Sequence, residues 1–243
     1  MTRVLVTDAA QFLGAALCRA LPGTLPECQL FLQDASFAEG GARDEFLTGL
    51  GDVGCKVELV GSRDVGEVVD AVRGDVDVLI NNTAYPAHKR KFEDVSREAF
   101  VEALTALTVF PFELTAKLLP RMKERKAGKV IFITSATAFR GLPNYSSYVI
   151  GRGATNAMAL TLAHEVAPFN IQVNAVAPNF IESPTYFPQH LLDDPKIHAK
   201  IVKPIPLGRL GKPEEPADFI AFLASEKANF ITGQLFPFAG GWA

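Results

Sequence analysis

Tyr148 and Arg152 stand four residues apart in the segment YSSYVIGRG, which follows the strand-like run KVIFITSATAF. On a helix that spacing puts both side chains on one face. A guanidinium is charged at any working pH, and beside a phenol it favours the phenolate. Tyr148 is therefore a candidate general base. Ser135 ends the preceding run, where its hydroxyl could hold a substrate oxygen against the phenol. Taken alone, the spacing is common and equally describes a core tyrosine, a surface arginine and a serine capping a strand. What raises it above chance is the succession of strand, serine, tyrosine and arginine within one βα unit.

The elements that must position these groups can be read from hydrophobic patterning. The runs RVLVT, CQLFLQ, CKVELV, VDVLIN, KVIFIT, IQVNAVAP and GQLFPF are continuous rather than alternating. Such runs suit strands covered on both faces by helices, and hence a parallel sheet. Helical patterns lie between them, over residues 12–21, 65–73, 97–125, 147–167 and 214–225. The alternation predicts an α/β class protein: a doubly wound, Rossmann-like parallel sheet between two helical layers, built as one domain over residues 1–243. Ligands of such sheets bind outside the carboxyl ends of the strands. That rule selects segments 7–14, 81–85, 134–139 and 178–187.

Composition narrows the function classes. Of 243 residues 48% are hydrophobic and 21% charged, as in ordinary globular chains. The formal charge of -3, from 24 Lys and Arg against 27 Asp and Glu, offers no overall basic field for nucleic acid or an anionic membrane. The local cluster HKRK at residues 88–91 reads as a solvated loop. MTRVLVTD passes directly into a strand-like run, and apolar runs such as DFIAFLA fall short of the roughly 20 residues needed to span a bilayer. A soluble, cytoplasmic protein is expected. Cys18, Cys28 and Cys55 lack paired ligand spacing and suit thiols in a reducing compartment. His88, His164, His190 and His198 are scattered, so no metal site is expected.

VDVLINN, LLPRM, IFITSATA, YSSYVIGRGA, NIQVNAVAP, IPLGRLGKPEE, FLAS and FITGQLFPFAGG together resemble the short-chain dehydrogenase/reductase superfamily over essentially the whole chain. Members of that superfamily reduce carbonyls with a Ser-Tyr-Lys set and a nicotinamide cofactor. This chain departs from the pattern where the cofactor would sit. The opening turn TGxxxGxG is here TDAAQFLG, with Asp8 and Phe12 replacing glycines that let phosphate approach the backbone. No asparagine occurs between Asn82 and Asn144, so the superfamily's relay asparagine is missing. The usual Pro-Gly after the sixth strand is Pro178-Asn179, and the lysine is Arg152. Asp34, after the second strand, sits where NAD-dependent relatives hold the adenosine ribose, but without a phosphate turn it reads as a loop or helix cap.

With Ser135, Tyr148 and Arg152 in place and the glycines gone, the chain resembles the halohydrin dehalogenases. That family keeps the fold and uses no nicotinamide. The resemblance implies closure of vicinal halohydrins to epoxides with release of halide, and reverse opening of epoxides by small anions. It implies a halide site at Phe12, Pro178, Asn179, Phe180 and Ile181, with backbone amides of the last two donating to the anion. The aromatic segment PTYFP carries part of the likeness. Walls of a substrate pocket are expected from Tyr85, Thr137, Phe139, Leu142, Tyr186 and Phe187, although aromatic residues of this kind more often pack in cores. The family's tetramers use two long helices per subunit, matching segments 97–125 and 147–167, so a homotetramer is implied. The C-terminal FAGGWA is a candidate to reach a neighbouring subunit. Two alternatives stay open: an NAD(P)-dependent oxidoreductase with an atypical Ser-Tyr-Arg site, and a non-catalytic relative that keeps only the fold.

Overall fold

The computed structural model describes residues 1–25, 27–184 and 186–243. Its elements begin with β1 (Thr2–Val6), α1 (Gly14–Thr24), β2 (Cys28–Gln33), α2 (Gly40–Leu50), β3 (Lys56–Val60), α3 (Val65–Ala71) and β4 (Val78–Asn81). A long helix follows in two parts, α4 (Arg97–Leu104) and α5 (Phe110–Arg125), joined through a π-helical turn at Thr105–Val109. Then come β5 (Gly128–Ile133), α6 (Thr137–Arg140), α7 (Ser146–Val166), β6 (Ile171–Pro178), α8 (Gln189–Leu192), α9 (Pro195–Val202), α10 (Glu214–Ala224) and β7 (Gln234–Phe238). All the strands join one seven-stranded parallel sheet in the order β3-β2-β1-β4-β5-β6-β7. This is the doubly wound, Rossmann-like arrangement that the alternating pattern predicts.

Every residue of β2, β4 and β6 is buried, as continuous apolar runs require. The edge strands β3 and β7 differ: exposed positions recur along both, because each is paired on one side only and incompletely covered by helices. One face packs against α1 and α10 through Leu17, Leu21, Ile220 and Leu223. The other packs against α3, α5 and α7 through Val68, Leu114, Leu118, Ala159 and Ala163. Cys18 and Cys28 are buried in the first of these cores, while Cys55 is only partly so; all three are free thiols. The segment Arg97–Arg125 is long and apolar enough by length and composition to cross a membrane. Here its Phe110, Leu114, Leu118 and Met122 are buried against the sheet.

Three local features set the positions of the groups singled out above. The first helix begins at Gly14, two residues later than patterning suggested, because Asp8 and Phe12 both take left-handed backbone angles, φ 44° each. Gly14 then passes so close to the opening turn that a Cβ would lie 2.0 Å from the Ala9 carbonyl oxygen. The π turn precedes Pro111, whose missing N–H and ring disfavour a regular helical ladder there. Side chains bind this turn to α7: Thr155 donates to the Leu107 carbonyl at 2.7 Å and Thr108 to that of Gly151 at 3.0 Å. A Cβ on Gly151 would meet Leu107 at 3.1 Å, so the helices approach closely where the glycine sits.

Because Ala9 is backbone and cannot swing away, Gly14→Ala is expected to destabilise the fold by about 3 kcal/mol. Urea unfolding checks this, and unchanged stability would show that the turn relaxes freely.

Candidate active site

Strand β5 ends at Ile133, and the chain beyond it places Ser135 and Thr137 together, their hydroxyls 2.9 Å apart. From the facing side α7 presents Tyr148 and, one turn on, Arg152, with the guanidinium carbon 5.2 Å from the Tyr148 ring centre. Arg152 is fully enclosed, at 0% exposure. Its Nη1 donates to the Ile133 carbonyl at 2.8 Å and to Thr83 Oγ1 at 3.2 Å. Its Nη2 donates to the Thr83 carbonyl at 2.9 Å and to the Tyr186 hydroxyl at 3.4 Å. Among the described residues no carboxylate pairs with it. Burial works against its charge, but the Tyr148 and Tyr186 phenols beside it prevail and hold the guanidinium above its usual range.

Tyr186 reaches this group from the loop after β6. Its hydroxyl donates to the Tyr85 carbonyl at 3.2 Å, and its ring meets Phe12 edge-on at 5.2 Å and Tyr148 at 6.2 Å. Burial pushes the Tyr186 phenol up, with the Tyr148 hydroxyl adding to the shift and Arg152 opposing it.

A cavity of about 310 Å³ opens over these groups. Ser135, Thr137, Leu142 and Tyr148 line it together with Phe12, Pro178, Asn179, Phe180, Ile181, Tyr186 and Phe187. Arg152 lies behind Tyr148 and does not reach the cavity surface. Of the remaining expected wall residues, Tyr85 packs its ring with Ala103, Leu107 and Tyr148 and against His88, while Phe139 is exposed on α6. Neither lines the cavity. Thr185, within PTYFP, lies outside the described residues. Pro86, Ala87, Thr134 and Tyr145 also line the space. Residue type alone does not single them out, although Thr134 falls within, and Pro86 and Ala87 directly beside, the segments chosen by the strand-end rule.

The wall beyond the sixth strand has donors to offer. Phe180 takes a left-handed φ of 57°, and its carbonyl accepts the Gly211 N–H at 2.9 Å. Among the described residues no acceptor takes the Phe180 or Ile181 amide. The Phe180 ring stacks on Phe187 at 5.9 Å and meets Trp242 of the C-terminal segment at 5.5 Å. Within one chain, therefore, Trp242 packs against this wall, with Arg140 4.8 Å above its ring.

The opening turn is closed by its own side chains. Left-handed backbone costs a non-glycine residue roughly 1–2 kcal/mol, so Asp8 and Phe12 need local support. Asp8 accepts from Arg63 at 2.9 Å and from the Ala84 amide at 3.0 Å, while its own amide donates to Gln33 Oε1 at 3.1 Å. Asn82 Nδ2 donates to the carbonyls of Asp8 and Gln11 at 3.0 Å each. Burial pushes the Asp8 carboxyl up, and Arg63 and the Ala84 amide pull it only part of the way back. Asp34 accepts from the Ala10 amide at 3.1 Å and from the Ser36 amide and hydroxyl, so it caps the short turn after β2. Among the described residues no group of three His, Cys, Asp or Glu could hold a metal ion.

The family described as Enoyl-(Acyl carrier protein) reductase matches residues 30–243. The chain belongs to the short-chain dehydrogenase/reductase superfamily. It is 33% identical over 170 residues to Dehydrogenase/reductase SDR family member 4 of Homo sapiens, a match covering 70% of this chain and 60% of that protein's length. Among solved structures, one titled "Dehalogenation enzyme" superposes with a TM-score of 0.89 at 37% identity, covering 100% of this chain and 98% of the other. Halohydrin dehalogenase HheC, bound to ethyl (2S)-oxiran-2-ylacetate, gives a TM-score of 0.89 at 30% identity, covering 99% and 96%.

Removing the cation that faces the buried Asp8 should weaken the fold. Arg63 is 38% exposed, which moderates the loss, and Arg63→Met is expected to cost about 2 kcal/mol near pH 7. The sign with pH follows from the raised carboxyl. Below the unfolded-state value Asp8 is protonated in both states and Arg63 contributes little. As pH rises, a carboxylate without its partner penalises the native state increasingly. Urea unfolding at pH 4.5 and pH 8 should show the larger deficit at pH 8.

Proposed function

We propose that this protein is a cofactor-independent halohydrin dehalogenase, converting vicinal halohydrins to epoxides, halide and a proton, and opening epoxides with small anions such as azide, cyanide and nitrite. One observation carries the reading: the turn that would take a dinucleotide is filled from within the chain, beside a cavity that faces Ser135 and Tyr148. Phe12 and Tyr186 meet ring to ring there, and Asp8 is tied to Arg63. A pyrophosphate over Asp8 would meet a carboxylate, and a nicotinamide would overlap the two rings. The residues present do not fit that cofactor. The two dehalogenase structures at 37% and 30% identity support the same choice.

On this reading Ser135 and Tyr148 hold the substrate hydroxyl, and Tyr148 takes its proton under the field of Arg152. The alkoxide oxygen forms its bond to the neighbouring carbon as the carbon–halogen bond breaks, all within one molecule, so proximity replaces an encounter. The halide departs toward the Phe180 and Ile181 amides and the edge of Phe12, flanked by Pro178 and Asn179. Thr137, Leu142 and Phe187 bound the carbon skeleton. The proton leaves through Tyr148 to solvent, and returns by the same route when an anion opens an epoxide.

The protein acts as one cytoplasmic domain assembled into homotetramers. An exposed apolar face supports assembly: Val109 and Phe112 of the long helix, 40% and 57% exposed, flank a groove shared with Ala154, Ala157, Met158 and Leu162 of α7. A second reading, a nicotinamide oxidoreductase, draws on the dehydrogenase/reductase relative.

Incubation with 1,3-dichloro-2-propanol and no nicotinamide should release halide and form epoxide together. Tyr148→Phe should lower the rate at least about 100-fold. Arg152→Lys should also lower it without gain of NADH or NADPH binding. No halide release, with thermal stabilisation by NADH or NADPH, would favour the oxidoreductase. The assembly is tested separately: Phe112→Glu should shift the particle to a smaller mass by light scattering, and an unchanged mass would move the interface elsewhere.

A further inference from the structure

The environment of Arg152 divides into two parts. Thr83, just after β4, and Ile133, the last residue of β5, take three of its contacts. Among the described residues its Nε finds no acceptor. The remaining contact, Nη2 to the Tyr186 hydroxyl, is the described hydrogen bond that joins the guanidinium to the loop walling the cavity. That hydroxyl spends its proton on the Tyr85 carbonyl at 3.2 Å. It therefore offers Arg152 lone pairs and nothing else. The Tyr148 hydroxyl lies beside both Arg152 and Tyr186, so one guanidinium serves two phenols and no carboxylate.

Two neighbouring phenols cannot both carry negative charge without mutual repulsion. Tyr186 must keep its proton to keep the bond to Tyr85, so toward Arg152 it can act only as an acceptor. We propose that Tyr186 is a positioning residue: its hydroxyl, pinned by the Tyr85 carbonyl, holds the Nη2 end of Arg152 toward Tyr148 and couples the base to the wall that receives the leaving group. The role rests on the dehalogenase reading for its chemistry, though the contact itself does not. It belongs to the hydroxyl, because a phenylalanine would fill the same space against Phe12 and Tyr148.

Tyr186→Phe therefore separates packing from positioning. Closure of 1,3-dichloro-2-propanol by the variant should show kcat reduced about tenfold, with KM within about twofold of the parent. In an Arg152→Lys background the same substitution should add little, because it acts through the guanidinium. Wild-type kinetics in Tyr186→Phe, with loss only in Tyr186→Leu, would reduce the residue to packing and overturn the proposal. So would losses that multiply independently in the double variant. The same cycle read by urea unfolding needs no turnover and should also be non-additive. If the parent protein released no halide, the dehalogenase reading would fall, while additive unfolding would overturn the Tyr186 contact and non-additive unfolding would uphold it.

Discussion

Enclosing a guanidinium costs several kcal/mol unless acceptors surround it, and among the described residues Arg152 meets neutral ones only. Those acceptors come from the end of β4, the end of β5 and the loop after β6. Three elements far apart in sequence must converge on one side chain. The side chain in turn must reach them from α7, which is why that helix lies so close to the π turn. Gly151 permits the approach and Thr155 locks it through the Leu107 carbonyl. The placement of Tyr148 follows, since it shares a helix face with Arg152 one turn away.

The segment after β4 is the junction of the whole arrangement. Thr83 binds Arg152 with both its hydroxyl and its carbonyl, the Ala84 amide binds Asp8, and the Tyr85 carbonyl binds Tyr186. Consecutive residues thus tie Arg152, the closed opening turn and the cavity wall to one another. Asn82, just before them, reaches the Asp8 and Gln11 carbonyls and holds the turn from its other side. A shift in this short segment would be felt at all three places at once.

The strands were legible because a parallel sheet buried on both faces leaves continuous apolar runs, and the runs at β2, β5 and β6 are of this kind. The edge strands kept enough apolar residues to be found, although their burial is only partial. Helix α2 leaves no such pattern: GGARDEFLTGL opens on two glycines and buries Leu50 alone, so no apolar stripe marks it. At the site, the i to i+4 spacing of Tyr148 and Arg152 and the strand-end position of Ser135 could be read locally. The partners of Arg152 could not, since Thr83 is 69 residues distant and contributes a backbone carbonyl that any residue type would supply. Arg63 was equally hidden, 55 residues from Asp8. Aromatic type does not say which way a ring points, and so the Tyr85 and Phe139 rings fall outside the cavity wall expected for them.

A Rossmann-like sheet places its ligand crevice outside the carboxyl ends of the strands whatever fills it. In this chain two arginines near the crevice are already engaged. Arg63 faces Asp8 and Phe110, and Arg152 is sealed behind Tyr148. A phosphate, which needs several donors and a counter-charge, would find a carboxylate at the turn instead. Among the described residues the end of β6 offers two unengaged amides beside aromatic rings. Such a surface suits a small, diffuse, weakly hydrated anion better than a compact, highly charged one. On the dehalogenase reading, halide is favoured over phosphate because the wall offers amides and aromatic edges while Arg63 and Arg152 are already committed elsewhere.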